Sequence, residues 1–142
     1  MKGTGIILFL FLMIGLASNA QVSLDDLQIV NGVAYKQNEG SPYSGKLSAN
    51  WDNGKPRYAG AMKEGLKEKK WTEWDRDGVM RFSGTYKAGK LEGPATYYYP
   101  HGGIREQGEY KEGRQVGEWL ENDPLAKNPK IRKYETVTET YG

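Results

Sequence analysis

Hydrophobic and polar residues alternate along short segments of this chain, and the segments recur every 24 residues. Alternation with a period of two is typical of β-strands, whose successive side chains point to opposite faces of a sheet. Self-similarity at a fixed period predicts a repeat array in which each unit buries its apolar side against its neighbours. The chain is therefore predicted to be all-β, an elongated single antiparallel meander of repeated β-hairpins. Three aligned glycine columns mark its turns and strand centres: Gly54, Gly78 and Gly102; Gly60, Gly84 and Gly108; Gly65, Gly89 and Gly113.

The hairpin turns are predicted from the glycine dipeptides. Asp77-Gly78 suits a two-residue loop, because both central positions of such a loop need positive φ. A loop of that length would pair Glu73 with Phe82 and Trp71 with Gly84. A second glycine turn would close each unit at Gly65, Gly89 and Gly113.

This register predicts which residues form the core. The second strand of the middle unit would place Met80, Phe82, Gly84 and Tyr86 on the buried face. Its central glycine would lie opposite a large residue that covers it. In the three units the residues opposite the central glycine are Leu47, Trp71 and Ala95.

The other face carries a stripe of arginines, predicted to pair across the hairpins with Asn50, Trp74 and Tyr98. Two of the three pairs would be cation–π contacts, each contributing about 0.5–1 kcal/mol at an exposed site. Two interpretations stay open: a solvated face whose aromatics shield the arginine stems, or a ladder presented to an anionic or sugar-like partner. The candidate ligand-binding residues are Arg57, Trp74, Arg81, Tyr98 and Arg105.

The two ends of the chain differ from the repeats. An apolar run from Ile6 to Leu16 follows Lys2 and precedes Ser18-Asn19-Ala20, which predicts a secretory signal peptide over 1–20, cleaved before Gln21. Residues 21–44 are predicted to form a lead-in and cap, with a helix start at 23–26 and a strand at 33–36 that pairs with the first unit and covers its edge. Residues 45–116 hold three hairpin repeats. Residues 117–142 hold a decayed fourth repeat and a C-terminal cap, in which 131–132 align under 104–105 after a shift of 27.

Composition and charge exclude several classes of function. The net charge of +2 falls to +1 when Lys2 leaves with the signal peptide, so nothing indicates a nucleic-acid partner. The mature chain is also predicted to have no transmembrane segment. With no cysteine, the fold cannot rely on disulfides. The lone histidine, His101, falls at a hairpin tip, and no cluster suggests a catalytic, metal or cofactor site. A non-enzymatic protein is expected.

One segment suggests a family. Gly93-Pro94-Ala95-Thr96-Tyr97-Tyr98-Tyr99-Pro100-His101-Gly102 resembles the core of MORN repeats. The variant branch of that family is matched more closely, through Trp71, Trp74, Gly78, Gly84, Tyr86-Lys87-Ala88-Gly89-Lys90 and Gly93. The resemblance covers 31 to about 123. Lys69 departs from it, because the columns of Gly45, Gly93 and Gly117 lead one to expect a glycine there, and this leaves the turn between the first two units uncertain.

The resemblance implies binding or structural roles. An exported repeat scaffold for protein–protein or cell-envelope contacts, periplasmic, on the outer surface or secreted, is the first expectation. Binding of a glycan or an anionic surface through the Trp, Tyr and Arg stripe is the second. A third is an antitoxin-like partner of a toxin protein, since variant MORN proteins are often labelled antitoxins, although a signal peptide argues against a cytoplasmic partner.

Overall fold

The computed structural model describes residues 21–135. It confirms the predicted all-β class: a two-stranded hairpin is followed by an eight-stranded antiparallel sheet. The strands are β1 Leu27–Val30, β2 Val33–Lys36, β3 Gly45–Asn50, β4 Pro56–Lys63, β5 Leu66–Trp74, β6 Met80–Lys87, β7 Lys90–Tyr98, β8 Ile104–Lys111, β9 Arg114–Glu121 and β10 Lys130–Tyr134. The predicted signal peptide and the last residues of the predicted C-terminal cap lie outside the described residues.

The large sheet is a meander in which each strand pairs with the next strand in the chain, from β3 at one edge to β10 at the other. The predicted register at the strand centres is correct. Leu47 lies opposite Gly60, Trp71 opposite Gly84 and Ala95 opposite Gly108. The core lies on one side of this sheet, called here the core face, where the buried residues are Leu47, Tyr58, Met62, Trp71, Phe82, Ala95 and Trp119.

The central glycines are covered by large side chains, but not by the partners predicted from the hairpins. The Trp71 ring lies against Gly60 of β4 rather than against Gly84, its pairing partner in β6. Trp119 covers Gly108 of β8 in the same way. A shift of register in β4–β5 between Ala59 and Ala61 accompanies this placement. Each tryptophan therefore ties its own hairpin to the preceding one.

The predicted two-residue loop at Asp77-Gly78 is wrong. Asp75 N–H donates to the Val79 carbonyl at 2.9 Å and Gly78 N–H to the Asp75 carbonyl at 3.0 Å, so this loop has three residues rather than two. Only Gly78 in it has positive φ, which is the pattern of a type I turn followed by a left-handed glycine. The Asp75 carboxylate stabilises this loop by accepting from Asp77 N–H and Val79 N–H.

The two-residue turns lie at the other end of the hairpins. Glu64-Gly65, Ala88-Gly89 and Glu112-Gly113 have positive φ at both positions, the requirement of a type I′ turn. The first amide of each turn donates to a side chain 20 residues earlier in the chain. Glu64, Ala88 and Glu112 donate their N–H groups to Ser44 Oγ, Glu68 Oε2 and Glu92 Oε2 at 2.8, 2.9 and 2.6 Å. These acceptors recur every 24 residues, so the contact belongs to the repeat.

Ala88 adopts a backbone conformation that suits asparagine or glycine better. Its φ of 47° is left-handed, a region that costs an ordinary L-residue about 1–2 kcal/mol. Ala88→Asn is expected to raise the free energy of unfolding by about 0.5–1 kcal/mol, since Asn-Gly is a preferred type I′ pair. Urea denaturation measures the change. Ala61→Asn in the middle of β4 is the control and should destabilise, and a less stable Ala88→Asn protein would contradict the turn assignment.

Lys69 keeps the backbone conformation of the glycines it replaces. Its φ is 63°, close to 88° at Gly93 and 66° at Gly117. The uncertainty left by the sequence is resolved: the position lies inside continuous strand β5 rather than at a turn, at the point where the β4–β5 register shifts. A lysine is thus held in a left-handed conformation at a bulge.

The two ends of the fold agree with the sequence in part. Ser23 caps a 3-10 turn over Leu24–Asp26 through a reciprocal capping box, as its Ser-x-x-Asp pattern indicates. The strand at 33–36 is present but pairs with β1, and the β3 edge is contacted instead by the Val22 carbonyl, which accepts from Ser48 N–H. This edge prediction was wrong because β1 offers a partner two residues away. The decayed fourth hairpin is confirmed, with Ile131 opposite Leu120.

Candidate functional site

The arginine column lies at a row of β-bulges. Between β5 and β6 the register shifts, so that Trp74 pairs with Met80 and Arg81 is the extra residue. Arg57 and Arg105 are extra in the same way, since Asn50 pairs with Pro56 and Tyr98 with Ile104. The predicted pairings of the arginines with Asn50, Trp74 and Tyr98 are therefore wrong. A bulge inserts one residue into one strand and re-aims the neighbouring side chains.

The bulge also changes which face of the sheet the neighbouring side chains point to. Arg81 lines a groove with Phe82, although adjacent residues of a regular strand would point to opposite sides. Met80, predicted in the core, lies instead beside Trp74 and Thr72 on the opposite face. The arginines at positions 81 and 105 thus belong to the core face rather than to the other face.

The groove has a volume of about 330 Å³ and brings together three of the five predicted site residues. Arg81, Tyr98 and Arg105 line it. Phe82 and Tyr97 contribute a pair of rings whose centroids are 4.9 Å apart. The complete lining is Glu73, Arg81, Phe82, Tyr86, Tyr97, Tyr98 and Arg105, called here the arginine groove.

The other two predicted site residues lie elsewhere. Arg57 is exposed and its guanidinium carbon lies 4.9 Å from the centre of the Trp51 ring. Trp74 lines a depression on the face opposite the core face. The five residues therefore do not form one stripe.

Charges in the groove are partly matched. Arg105 Nη2 lies 2.9 Å from Glu106 Oε1, and its guanidinium carbon is 5.4 Å from the Tyr97 ring centre. Arg81 Nη1 is 3.8 Å from Asp75 Oδ2, at the limit of an ion pair. Because these side chains are partly exposed, such pairs contribute little to stability and leave donor groups available to a ligand.

The Tyr86 hydroxyl at the groove stays protonated at neutral pH. Burial raises the pKa of Tyr86, and the negative charge of Glu73 adds to the effect. The neighbouring Tyr110 hydroxyl has its pKa raised by burial and by its 3.1 Å hydrogen bond with the Tyr97 hydroxyl. At neutral pH the Tyr86 hydroxyl can therefore donate a hydrogen bond to a ligand as well as accept one.

A lysine next to this site was not predicted from the sequence. Lys67 Nζ lies 4.1 Å from the centre of the Trp71 ring and 5.0 Å from that of Tyr86. Desolvation by burial lowers the pKa of Lys67, while the charge of Glu73 acts in the opposite direction. The 24-residue alignment gives no signal here, because its column holds Tyr43, Lys67 and Leu91.

Other chemistry is limited in the described chain. His101 lies at the tip of the β7–β8 hairpin, stacked on Tyr99 with 5.3 Å between ring centroids. Within residues 21–135, no group of three or more His, Cys, Asp or Glu residues could hold a metal ion. No helix in the same part of the chain is long and apolar enough to cross a membrane.

Comparison with known proteins adds no relative: no protein-family model matches the chain, and no curated protein or solved structure matches it significantly.

Proposed function

We propose that the chain is an exported, non-enzymatic repeat scaffold of the MORN-variant type that mediates protein–protein or cell-envelope contacts. The observation that carries the proposal is the repeated bulge, which places an arginine at the same point of successive hairpins. Alternate strands of a sheet lie about 10 Å apart, so the bulge arginines of β4, β6 and β8 form a regularly spaced series. A periodic surface of this kind suits an extended partner. Export rests on the predicted signal peptide.

Binding of a glycan in the arginine groove is the second candidate. Its support is the combination of partly exposed aromatic rings with planar charged groups around one shallow volume. Aromatic rings pack against the apolar faces of sugars, and guanidinium and carboxylate groups can hydrogen-bond to their hydroxyls. An anionic sugar would gain further from the two arginines.

The groove can be tested directly with the double variant Arg81→Gln with Arg105→Gln. We expect affinity for an envelope protein captured by the native chain, or for purified cell wall, to fall at least about tenfold, since charge-assisted hydrogen bonds contribute about 1.5–3 kcal/mol each. Biolayer interferometry against each purified binder gives the dissociation constants. Loss of protein binding supports the scaffold, whereas loss of cell-wall binding supports the glycan site.

Two matched controls separate the groove from the rest of the surface. Arg57→Gln removes the third bulge arginine, which lies outside the groove, and should retain binding of a ligand held only there. Trp74→Ala removes an aromatic of the opposite face, whereas Tyr98→Ala removes one of the groove. If the double variant binds every partner as the native chain does, the arginines are a solvated surface and the groove has no function.

A further inference from the structure

The face opposite the core face, called here the open face, has a continuous row of paired residues across all eight strands. The paired residues are Ser48, Ala59, Thr72, Ser83, Thr96, Gln107, Leu120 and Ile131. The row changes character along the sheet: it is small up to Thr96 and ends in two aliphatic residues. Ile131 is 55% exposed, so part of this face presents apolar surface to water.

Two shallow depressions lie on the open face, and their charges are opposite. The basic depression, of about 480 Å³, has Ala59, Ala61, Thr72, Trp74 and Met80 as its floor. Its charged lining residues within the described chain are Lys46, Lys69 and Lys70, with no acid among them. The nearby Glu68 carboxylate is occupied, because it accepts the Ala88 N–H in the adjacent turn.

The acidic depression, of about 510 Å³, is at the other end of the same face. Pro94, Leu120 and Ile131 contribute apolar surface, and its charged lining residues are Glu109 and Glu118, with no base among the described residues that line it. Lys133, on the neighbouring strand, pairs with Glu118 at 3.0 Å. Both side chains are more than 60% exposed, so the pair is weakly held and can exchange partners.

We propose that the open face binds a second copy of this chain, with the basic depression of each protomer against the acidic depression of the other. A twofold axis near the centre of the face makes this contact twice, because an isologous interface matches each patch with its counterpart on the partner. Around that axis the side chains are small, Ser83, Thr85 and Thr96, so two sheets can approach closely.

The backbone at Lys69 supports the assignment of the basic depression. A left-handed lysine is costly where equivalent units have glycine, and such local strain is found where a side chain has a role. The apolar floor and the exposed Ile131 supply the area that association buries, and the lysine and glutamate rims fix the relative orientation.

Paired charge reversals test the proposal, which is independent of the arginine groove. Lys46→Glu with Lys70→Glu makes both depressions acidic, and Glu109→Lys with Glu118→Lys makes both basic. By analytical ultracentrifugation the native chain should reach the mass of two chains, and each variant alone should dissociate at least about tenfold more readily, because like charges then meet. An equimolar mixture should recover the dimer, since both contacts again join opposite charges.

The recovery in the mixture also shows that the two variants are folded. Lys36→Glu with Lys127→Glu changes the net charge as much as Lys46→Glu with Lys70→Glu does, but in the N-terminal hairpin and the β9–β10 loop, and this control should dimerise like the native chain. The proposal is overturned if the native chain keeps the mass of one chain up to its highest soluble concentration. It is also overturned if either charge-reversed variant dimerises normally, or if their mixture stays monomeric. A failure here leaves binding in the arginine groove untouched.

Discussion

Trp71→Ala is expected to lower the free energy of unfolding by about 3–5 kcal/mol, the range for removing a fully buried tryptophan. The side chain is only 1% exposed. Its burial comes from stacking on Tyr58, with ring centroids 5.5 Å apart and planes at 13°, and from Lys67 above the ring. The indole N–H also donates to Glu73 at 2.9 Å.

Urea denaturation followed by circular dichroism measures this loss. Trp74→Ala is the matched control, because Trp74 belongs to the same strand but is only partly buried on the open face. Its loss should be clearly smaller. Since small domains are stable by about 5–15 kcal/mol, the Trp71 variant should lie close to the limit of folding. A loss below about 1 kcal/mol would show that the Trp71 ring is not a packing centre.

Gly60→Ala should destabilise by about 1–3 kcal/mol, the usual cost of overpacking a filled core. A methyl group built on Gly60 would overlap Trp71 Cε3 and lie 2.6 Å from Cζ3. The ring would have to move from its place against Tyr58. Gly40→Ala provides the control, because a methyl group there meets nothing within 4 Å and its φ is not positive.

A double-mutant cycle ties this cost to Trp71. In the Trp71→Ala background the space beside Gly60 is empty, so the added methyl should cost much less than in the native chain. Thermal or urea unfolding of the four proteins gives the interaction energy. Additive losses would mean that the glycine is needed for its own backbone and not for the tryptophan.

The alternation of residue types predicted much of this fold. Period-two patterns and aligned glycines were enough for the strand order, the central pairings such as Trp71 with Gly84, and the last hairpin with Ile131 in β10. These features depend on side-chain direction and chain length, both of which are visible in a sequence. The capping box at Ser23 was visible for the same reason, because it is a local pattern.

The bulges were not visible. A single extra residue reverses the side-chain alternation beyond it. Met80 therefore lies on the open face instead of in the predicted core, and Arg81 lies on the core face. The cause is the turn: an Asp-Gly dipeptide suggests a two-residue loop, but the Asp75 carboxylate accepts from Asp77 N–H and Val79 N–H and stabilises a three-residue loop. This one-residue difference is why Arg81 and Trp74, predicted to lie side by side, are on opposite faces. The bulges also determine which charged residues share the open face, and so the opposite charges at its two ends.

The strict order of the meander bears on how the chain finds its fold. Each strand of the large sheet pairs with its immediate successor, across loops of two to eight residues. The entropy lost in closing a loop grows with its length, so each pairing step is inexpensive and none must wait for a distant segment. Mean sequence separation between contacts is what slows the assembly of most β-sheets. This chain avoids that delay, and a nascent hairpin can add to the growing edge as soon as it has formed.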